Sequence, residues 1–148
     1  MPKLYIFVVC EKVIIDQAGV ASLIGLFNKM VVSIPEETSE IPANAVAPKE
    51  WVVFAGWLYQ EEDEGKEYTQ NVEIFYPDGS VFIPKQSTKF IMNKSRKIQN
   101  VGTQIVGFPL GQQGQYPIRM WLEAGEVSVM EPVSIYTETE IIRKPKAT

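Results

Sequence analysis

Two runs of the chain, Leu4–Cys10 (LYIFVVC) and Trp51–Gln60 (WVVFAGWLYQ), carry apolar side chains on both alternating sets of positions and show no helical period. Successive side chains of an extended strand point to opposite faces, so each run demands cover on both sides of its sheet. That demand constrains the fold more than any other feature. The rest of the chain is a series of short Val-, Ile-, Phe- and Tyr-rich runs divided by Gly, Pro, Asn and Asp, which is the all-β pattern. Roughly eight or nine strands are expected, forming a two-sheet antiparallel β-sandwich with Greek-key, immunoglobulin-like connections. A closed β-barrel is the alternative, since both solve the problem of unpaired strand edges. With 148 residues, one domain is expected over 1–148, long enough to bury a core without a disulfide or a metal.

In chain order, KLYIFVVCEKVIID reads as a long first strand, and Gln17–Gly19 as a turn. VASLIGLFNKMVVSIP returns antiparallel to it, with Gly25 and Asn28-Lys29 as bulge or turn positions. Pro35–Glu50 is the one long connection, suited to carrying the chain from one sheet to the other. EEDEGKE (Glu61–Glu67) reads as an acidic hairpin loop, and YTQNVEIFYPDGS as a half-exposed strand closing in the Pro77-Asp78-Gly79 turn. VFIPKQ and TKFIMN read as two short strands, with Pro84 marking an edge or a break. KIQNVGTQIVGFPL is a long alternating strand. GQYPIRMWLEAGE and VSVMEPVSIYTETEII form a C-terminal hairpin, and residues 143–148 (RKPKAT) read as a frayed tail.

Within that hairpin, Tyr116, Ile118, Met120 and Leu122 share the parity expected to face the core, while Pro117, Arg119, Trp121 and Glu123 share the outward one. Val127 and Val129 are expected to face in, with a bulge at Glu131-Pro132 resetting the phase for Val133 and Ile135. Tyr116, at the strand start, resembles the corner tyrosine of immunoglobulin-like sandwiches, whose hydroxyl caps nearby backbone. Trp121 is left on the outer parity beside Arg119, where it covers the sheet or presents a binding surface. Trp51, Trp57 and Tyr59 share one parity. Facing in, they are core, which is the favoured reading. Facing out, they would be an aromatic strip of the kind that stacks on carbohydrate. The candidate binding residues are therefore Trp121, Arg119, Trp51, Trp57 and Tyr59.

Recognisable chemistry is absent from the pattern. The chain has no histidine and one cysteine, Cys10. It lacks the usual general base near neutral pH, the usual zinc ligand and the base of a Ser or Cys triad. Cys10 has no histidine partner and is expected to be buried mid-strand, where a thiol is inert. The run Glu61, Glu62, Asp63, Glu64 sits in one turn, so it reads as a solubilising loop rather than a Ca²⁺ site or a pair of catalytic carboxylates facing across a cleft. GFPLGQQG lacks the lysine and helix of a phosphate loop. No catalytic residue, cofactor or metal is expected. A net charge of −4 and a pI near 4.9 disfavour a nucleic-acid partner. The weak basic gathering at Lys85, Lys89, Lys94, Arg96 and Lys97 lacks interleaved aromatics and reads as a solvated hairpin. Asn93-Lys94-Ser95 fits a glycosylation acceptor only in a secreted eukaryotic protein. Lys3 and the apolar run after it faintly resemble a signal segment, but Glu11 and Lys12 cut the run short, and Val9 is not the small residue a lipoprotein box needs before Cys10. No membrane segment is expected, and the lone cysteine suits a reducing cytoplasm.

Cys10-Glu11, then Ser22-Leu23-Ile24-Gly25-Leu26-Phe27, then Ile34-Pro35, and later Gly114, Tyr116 and Ile118 form a spaced set. In these residues the chain resembles a family of small uncharacterised bacterial proteins whose first strand leads through a turn to an SLIG-x-F strand. The resemblance covers most of the chain and implies a β-sandwich of unknown function, with no catalytic residue to carry over. The expected function is a non-enzymatic module that binds another protein or assembles with itself. A carbohydrate- or small-ligand-binding sandwich is the alternative, and a carboxylate-dependent hydrolase a remote one.

Overall fold

The computed structural model describes residues 1–37 and 40–145. Ten strands follow in chain order: β1 (Lys3–Ile15), β2 (Ala21–Leu26), β3 (Lys29–Pro35), β4 (Val46–Leu58), β5 (Glu67–Phe75), β6 (Val81–Ile91), β7 (Ile98–Pro109), β8 (Gly114–Ala124), the two-residue β9 (Val127–Ser128) and β10 (Val133–Lys144). They form two packed sheets. One has the order β2-β1-β4-β7 and curls into a half-barrel; the other has the order β3-β10-β8-β5-β6, with β9 on β8. The protein is thus an all-β sandwich.

Each apolar parity finds its own cover. From β4, Trp51, Val53, Ala55 and Trp57 face between the sheets and meet Val72 and Ile74 of β5 and Ile118, Met120 and Leu122 of β8, all buried. Trp51 packs against Phe108 at 5.6 Å, and Phe27 closes the group at 5.9 Å from Phe108. Burying each such side chain contributes about 1.5–3 kcal/mol, so the core lies between the two sheets. The other parity of β4 supplies Val52 and Phe54, which form a second cluster with Cys10 on the outer side of the curled sheet. The β1 register explains how that cluster is covered. β1 pairs with β4 only as far as Cys10↔Val52; beyond it, Lys12–Ile15 pairs with β2 alone. Freed from β4, the β1–β2 hairpin bends over the outer face and lays Val13, Ala21 and Leu23 on the cluster.

Several expectations change. VASLIGLFNKMVVSIP is two strands, and the chain changes sheet at Phe27-Asn28: β2 stays antiparallel to β1, whereas β3 joins the other sheet parallel to β10. That pair is the exception to otherwise antiparallel pairing among the named strands. Residues 143–148 are not all tail, because Arg143 and Lys144 pair with Ile34 and Pro35; residues 146–148 lie outside the described set. EEDEGKE is not a hairpin loop: it takes the chain from β4 in the curled sheet to β5 in the other, through a short 3-10 turn at Glu61–Asp63. β5 is interior to its sheet rather than half-exposed, with Tyr68, Gln70, Asn71, Val72 and Ile74 buried. VFIPKQ and TKFIMN are one strand, β6, and Pro84 does lie on a sheet edge. Of Leu4–Cys10, only Val9 and Cys10 are fully buried, and Tyr5 is exposed, since the hairpin covers one end of the outer face and not the other. Val127 is 68% exposed, because it sits beside the glycine turn on the short β9, whereas Val129 packs on the core as expected. Pro35–Glu50 does connect the two sheets, with β4 already under way at Val46.

Candidate functional site

The expected binding residues separate into three environments. Trp51 and Trp57 are core: both have no exposed surface, and their indole N–H groups are satisfied internally, Trp51 donating to the Gly107 carbonyl at 2.9 Å and Trp57 to Gln70 Oε1 at 2.8 Å. This corrects their candidacy as stacking platforms, since a ring without exposed surface cannot meet a ligand. Tyr59, past the end of β4, is half-buried, and burial, then a hydrogen bond to Glu64, raises its hydroxyl above the ordinary tyrosine value. Trp121 is half-buried on the outer parity, with the Arg119 guanidinium 5.4 Å from its ring centroid and its N–H donating to Glu123 Oε1 at 3.1 Å. Arg119 also faces Glu73 at 3.6 Å. The five residues therefore do not converge on one site. Trp121 serves as cover for Asn71, its cross-strand neighbour, which is wholly buried although it lies on the outer parity of β5.

Two other features lie away from the expected binding residues. The first is the β7 edge. Among the described residues both sheets end in edge strands: β6 has Pro84, Lys85 and Lys89, β3 has Lys29 and Pro35, and β2, though uncharged, is short with Gly25 at φ +70°. Such devices oppose pairing with another chain. β7 carries Gly107 at φ +97° and Pro109 only toward its end, and over 12 residues, Ile98 to Pro109, it has no ionisable side chain. It presents Gly102, Gln104 and Val106 outward, and Val106 is the most exposed large apolar side chain among the described residues, at 73%.

The second feature lies under the β1–β2 hairpin. Two hollows flank it on the outer face of the curled sheet, meeting at Phe54. One, of about 680 Å³, is walled by Val13, Val52, Gly102 and Gln104, with Glu11, Lys12 and Glu50 at its rim. The other, of about 450 Å³, runs beneath the hairpin tip toward Arg96 and Lys97. Gly102 contributes no side chain to the first hollow, and Gly56 lets the Ile6 side chain pack directly on β4, where an added Cβ would lie 2.9 Å from it. The only sequence signal for these hollows was the doubled apolar parity of β1 and β4, which showed that the outer face needed cover but not what would cover it.

Among the described residues no group of three or more Cys, Asp or Glu side chains is arranged to hold a metal ion. Cys10 is buried, and burial raises its thiol above the ordinary value. Asp63 is buried rather than solvated, with Tyr68 donating to it at 2.7 Å, so the acidic run includes a structural carboxylate. The Tyr116 hydroxyl donates to the Gln112 carbonyl at 2.6 Å and accepts from the Gln112 N–H at 3.2 Å, the backbone cap its position suggested. No helix among the described residues is long and apolar enough to cross a membrane.

Fold and surfaces together define a β-sandwich with one curled sheet, a covered outer face and one long uncharged edge. The chain belongs to a family of unknown function, DUF6941, whose model matches residues 5–130. The match ends before β10 begins at Val133. A search of curated proteins finds no match.

Proposed function

We infer that this protein is a non-enzymatic assembly module that pairs with a second copy of itself along β7. The observation that carries the reading is the length of this uncharged edge, 12 residues against 6 in the equally uncharged β2, with the exposed Val106 on it. Like charges placed directly opposite each other destabilise a strand pair, and a strand without charge meets no such penalty against its own copy. A two-fold axis through Gly102 sets Asn100 against Gln104 and Ile98 against Val106, so no charge meets a like charge and the β-branched pair packs across the junction. The missing histidine and the dispersed carboxylates support the non-enzymatic part. The lone, buried Cys10 is compatible with a reducing cytoplasm, and the Tyr116 cap supports an immunoglobulin-like kinship.

One strand pair buries less than the roughly 1,200–2,000 Å² of a stable interface, so the expected dimer is weak and concentration-dependent. Light scattering across a concentration series should reveal it, and Gln104→Lys should abolish it while leaving thermal unfolding unchanged. Gly102→Cys should cross-link under mild oxidation, with Cys10 buried and silent. A chain that stays monomeric at millimolar concentration, or a dimer that neither responds to Gln104→Lys nor cross-links at position 102, overturns the reading.

A further inference from the structure

The hollow of about 450 Å³ beneath the hairpin tip combines an apolar interior with an unbalanced positive charge. Its inner wall is Ile6, Leu23 and Phe54, and Val20 and Ile98 stand at the rim. Arg96 and Lys97 line the same space, and no Asp or Glu does. In a chain of net charge −4 this is a local reversal of sign. Neither Arg96 nor Lys97 takes part in an ion pair among the described residues. Asp16, at the base of the hairpin tip, is turned back into its own loop: its Oδ1 accepts the N–H groups of Ala18 and Val20, both at 2.9 Å.

The hairpin tip is fixed over the hollow rather than left free. Asn100 Nδ2 donates to the Gly19 carbonyl at 3.4 Å, tying the tip to β7. The Arg96 guanidinium lies beside Gly19, its central carbon 3.8 Å from where a Cβ on that residue would stand. A cationic group is thus positioned at the mouth of a preformed apolar space, and the volume lies within the roughly 300–1,000 Å³ usual for small-molecule sites.

We propose that this hollow binds a small organic anion with an apolar body, a carboxylate of aliphatic type, its head at Arg96 and Lys97 and its body against Ile6, Leu23 and Phe54. An anion without an apolar body leaves the inner wall unfilled, and an apolar molecule without charge leaves the cationic pair uncompensated. Octanoate serves as the probe, compared with octanol and inorganic phosphate by calorimetric titration of the full chain. Octanoate should bind saturably, at least tenfold more tightly than either comparator, and more weakly as salt is raised. The double change Arg96→Gln, Lys97→Gln should weaken octanoate at least tenfold without moving the unfolding midpoint, because both side chains are exposed. Ala21→Phe, which fills the hollow from β2, should abolish binding while the cationic pair remains. No octanoate binding, equal binding of octanol, or full affinity in the double variant overturns the proposal. Ile98 and Asn100 belong to both the hollow and β7, but the two readings are scored by different measurements, so a monomer that binds octanoate overturns only the assembly reading.

Discussion

The Tyr68 hydroxyl donates to Asp63 Oδ1 across 2.7 Å, and the carboxylate it meets has no exposed surface. The pair joins the turn between the sheets to the first core residue of β5, with Tyr68 itself only 4% exposed and its ring 6.1 Å from Phe90. Burial first, and then the bond and the charge of Asp63, hold the Tyr68 hydroxyl protonated far above the ordinary tyrosine range. Tyr116 is raised in the same direction, chiefly by burial. The sign of the stability effect follows. The folded state keeps these protons at a pH where the unfolded chain releases them, so their contribution is complete below about pH 10 and is lost as pH rises beyond it. Urea midpoints measured from about pH 9 to 11.5 should therefore fall steeply. Tyr68→Phe should be less stable at neutral pH by about 1–3 kcal/mol, because the buried Asp63 loses this donor and keeps the Met1 ammonium at 3.3 Å, yet its alkaline slope should be shallower. Identical slopes in the two proteins would show that the pair does not behave as its geometry implies.

Cys10 lies under the β1–β2 hairpin in the cluster with Val52 and Phe54, with no exposed surface and a thiol that burial keeps protonated. The thiolate is the reactive form, so both access and ionisation oppose modification. The native protein should resist a disulfide-exchange reagent at neutral pH and react fully once unfolded in urea. Reaction at intermediate urea, before the core tryptophans change emission, would show the hairpin lifting as a separate unit. Rapid labelling of the native protein would contradict the covered outer face.

The three tryptophans separate by burial, with Trp51 and Trp57 wholly enclosed and Trp121 half-buried beside Arg119. Acrylamide should quench a minor, accessible share of the emission and leave a protected, blue-shifted remainder. Trp121→Phe should remove the accessible share. Because Trp121 covers the buried Asn71 amide, the same change should lower stability by about 1 kcal/mol without affecting octanoate binding or self-association. Strong quenching that persists in Trp121→Phe would place Trp51 or Trp57 at the surface.

The parity of β8 was legible in the sequence, and Tyr116, Ile118, Met120 and Leu122 are all fully buried, because a strand in a hairpin keeps its period over many residues. The buried Trp51 and Trp57 followed the favoured reading for the same reason. Sheet membership was not legible. Nothing at Asn28-Lys29 distinguishes a bulge from a change of sheet, and the parallel partner that settles it, β10, is far along the chain, Lys29 pairing with Glu138. Asp63 looked solvated because its neighbours are; its burial depends on Tyr68, brought round by a crossing between sheets rather than by a hairpin. The hollow under the hairpin depends on where β1 leaves β4, a register that composition does not encode. Lys94, Arg96 and Lys97 are solvent-exposed, as a solvated hairpin requires, but the space beside Arg96 and Lys97 is made by residues far from them in the chain.

Gly25 sits opposite Glu11 in the hairpin register and adopts φ +70°, and a Cβ there would stand 2.8 Å from the Glu11 side chain, which reaches past it to Lys49 at 2.9 Å. Two obstacles therefore oppose a side chain at this position, and they can be separated. The left-handed backbone penalises any L-residue by roughly 1–2 kcal/mol, whereas the contact depends on Glu11 keeping its place. Gly25→Ala should destabilise the protein by more than the backbone term alone. Adding Glu11→Ala should recover the contact part and leave a deficit of about 1–2 kcal/mol. The exposed Glu11–Lys49 pair is itself worth at most about 1 kcal/mol, so Glu11→Ala alone should change the urea midpoint little. If Gly25→Ala is neutral, the hairpin does not bend where this glycine allows it, and the covered outer face must be held by other means. If the double variant is as unstable as Gly25→Ala, the whole deficit belongs to the backbone and the Glu11 side chain yields freely.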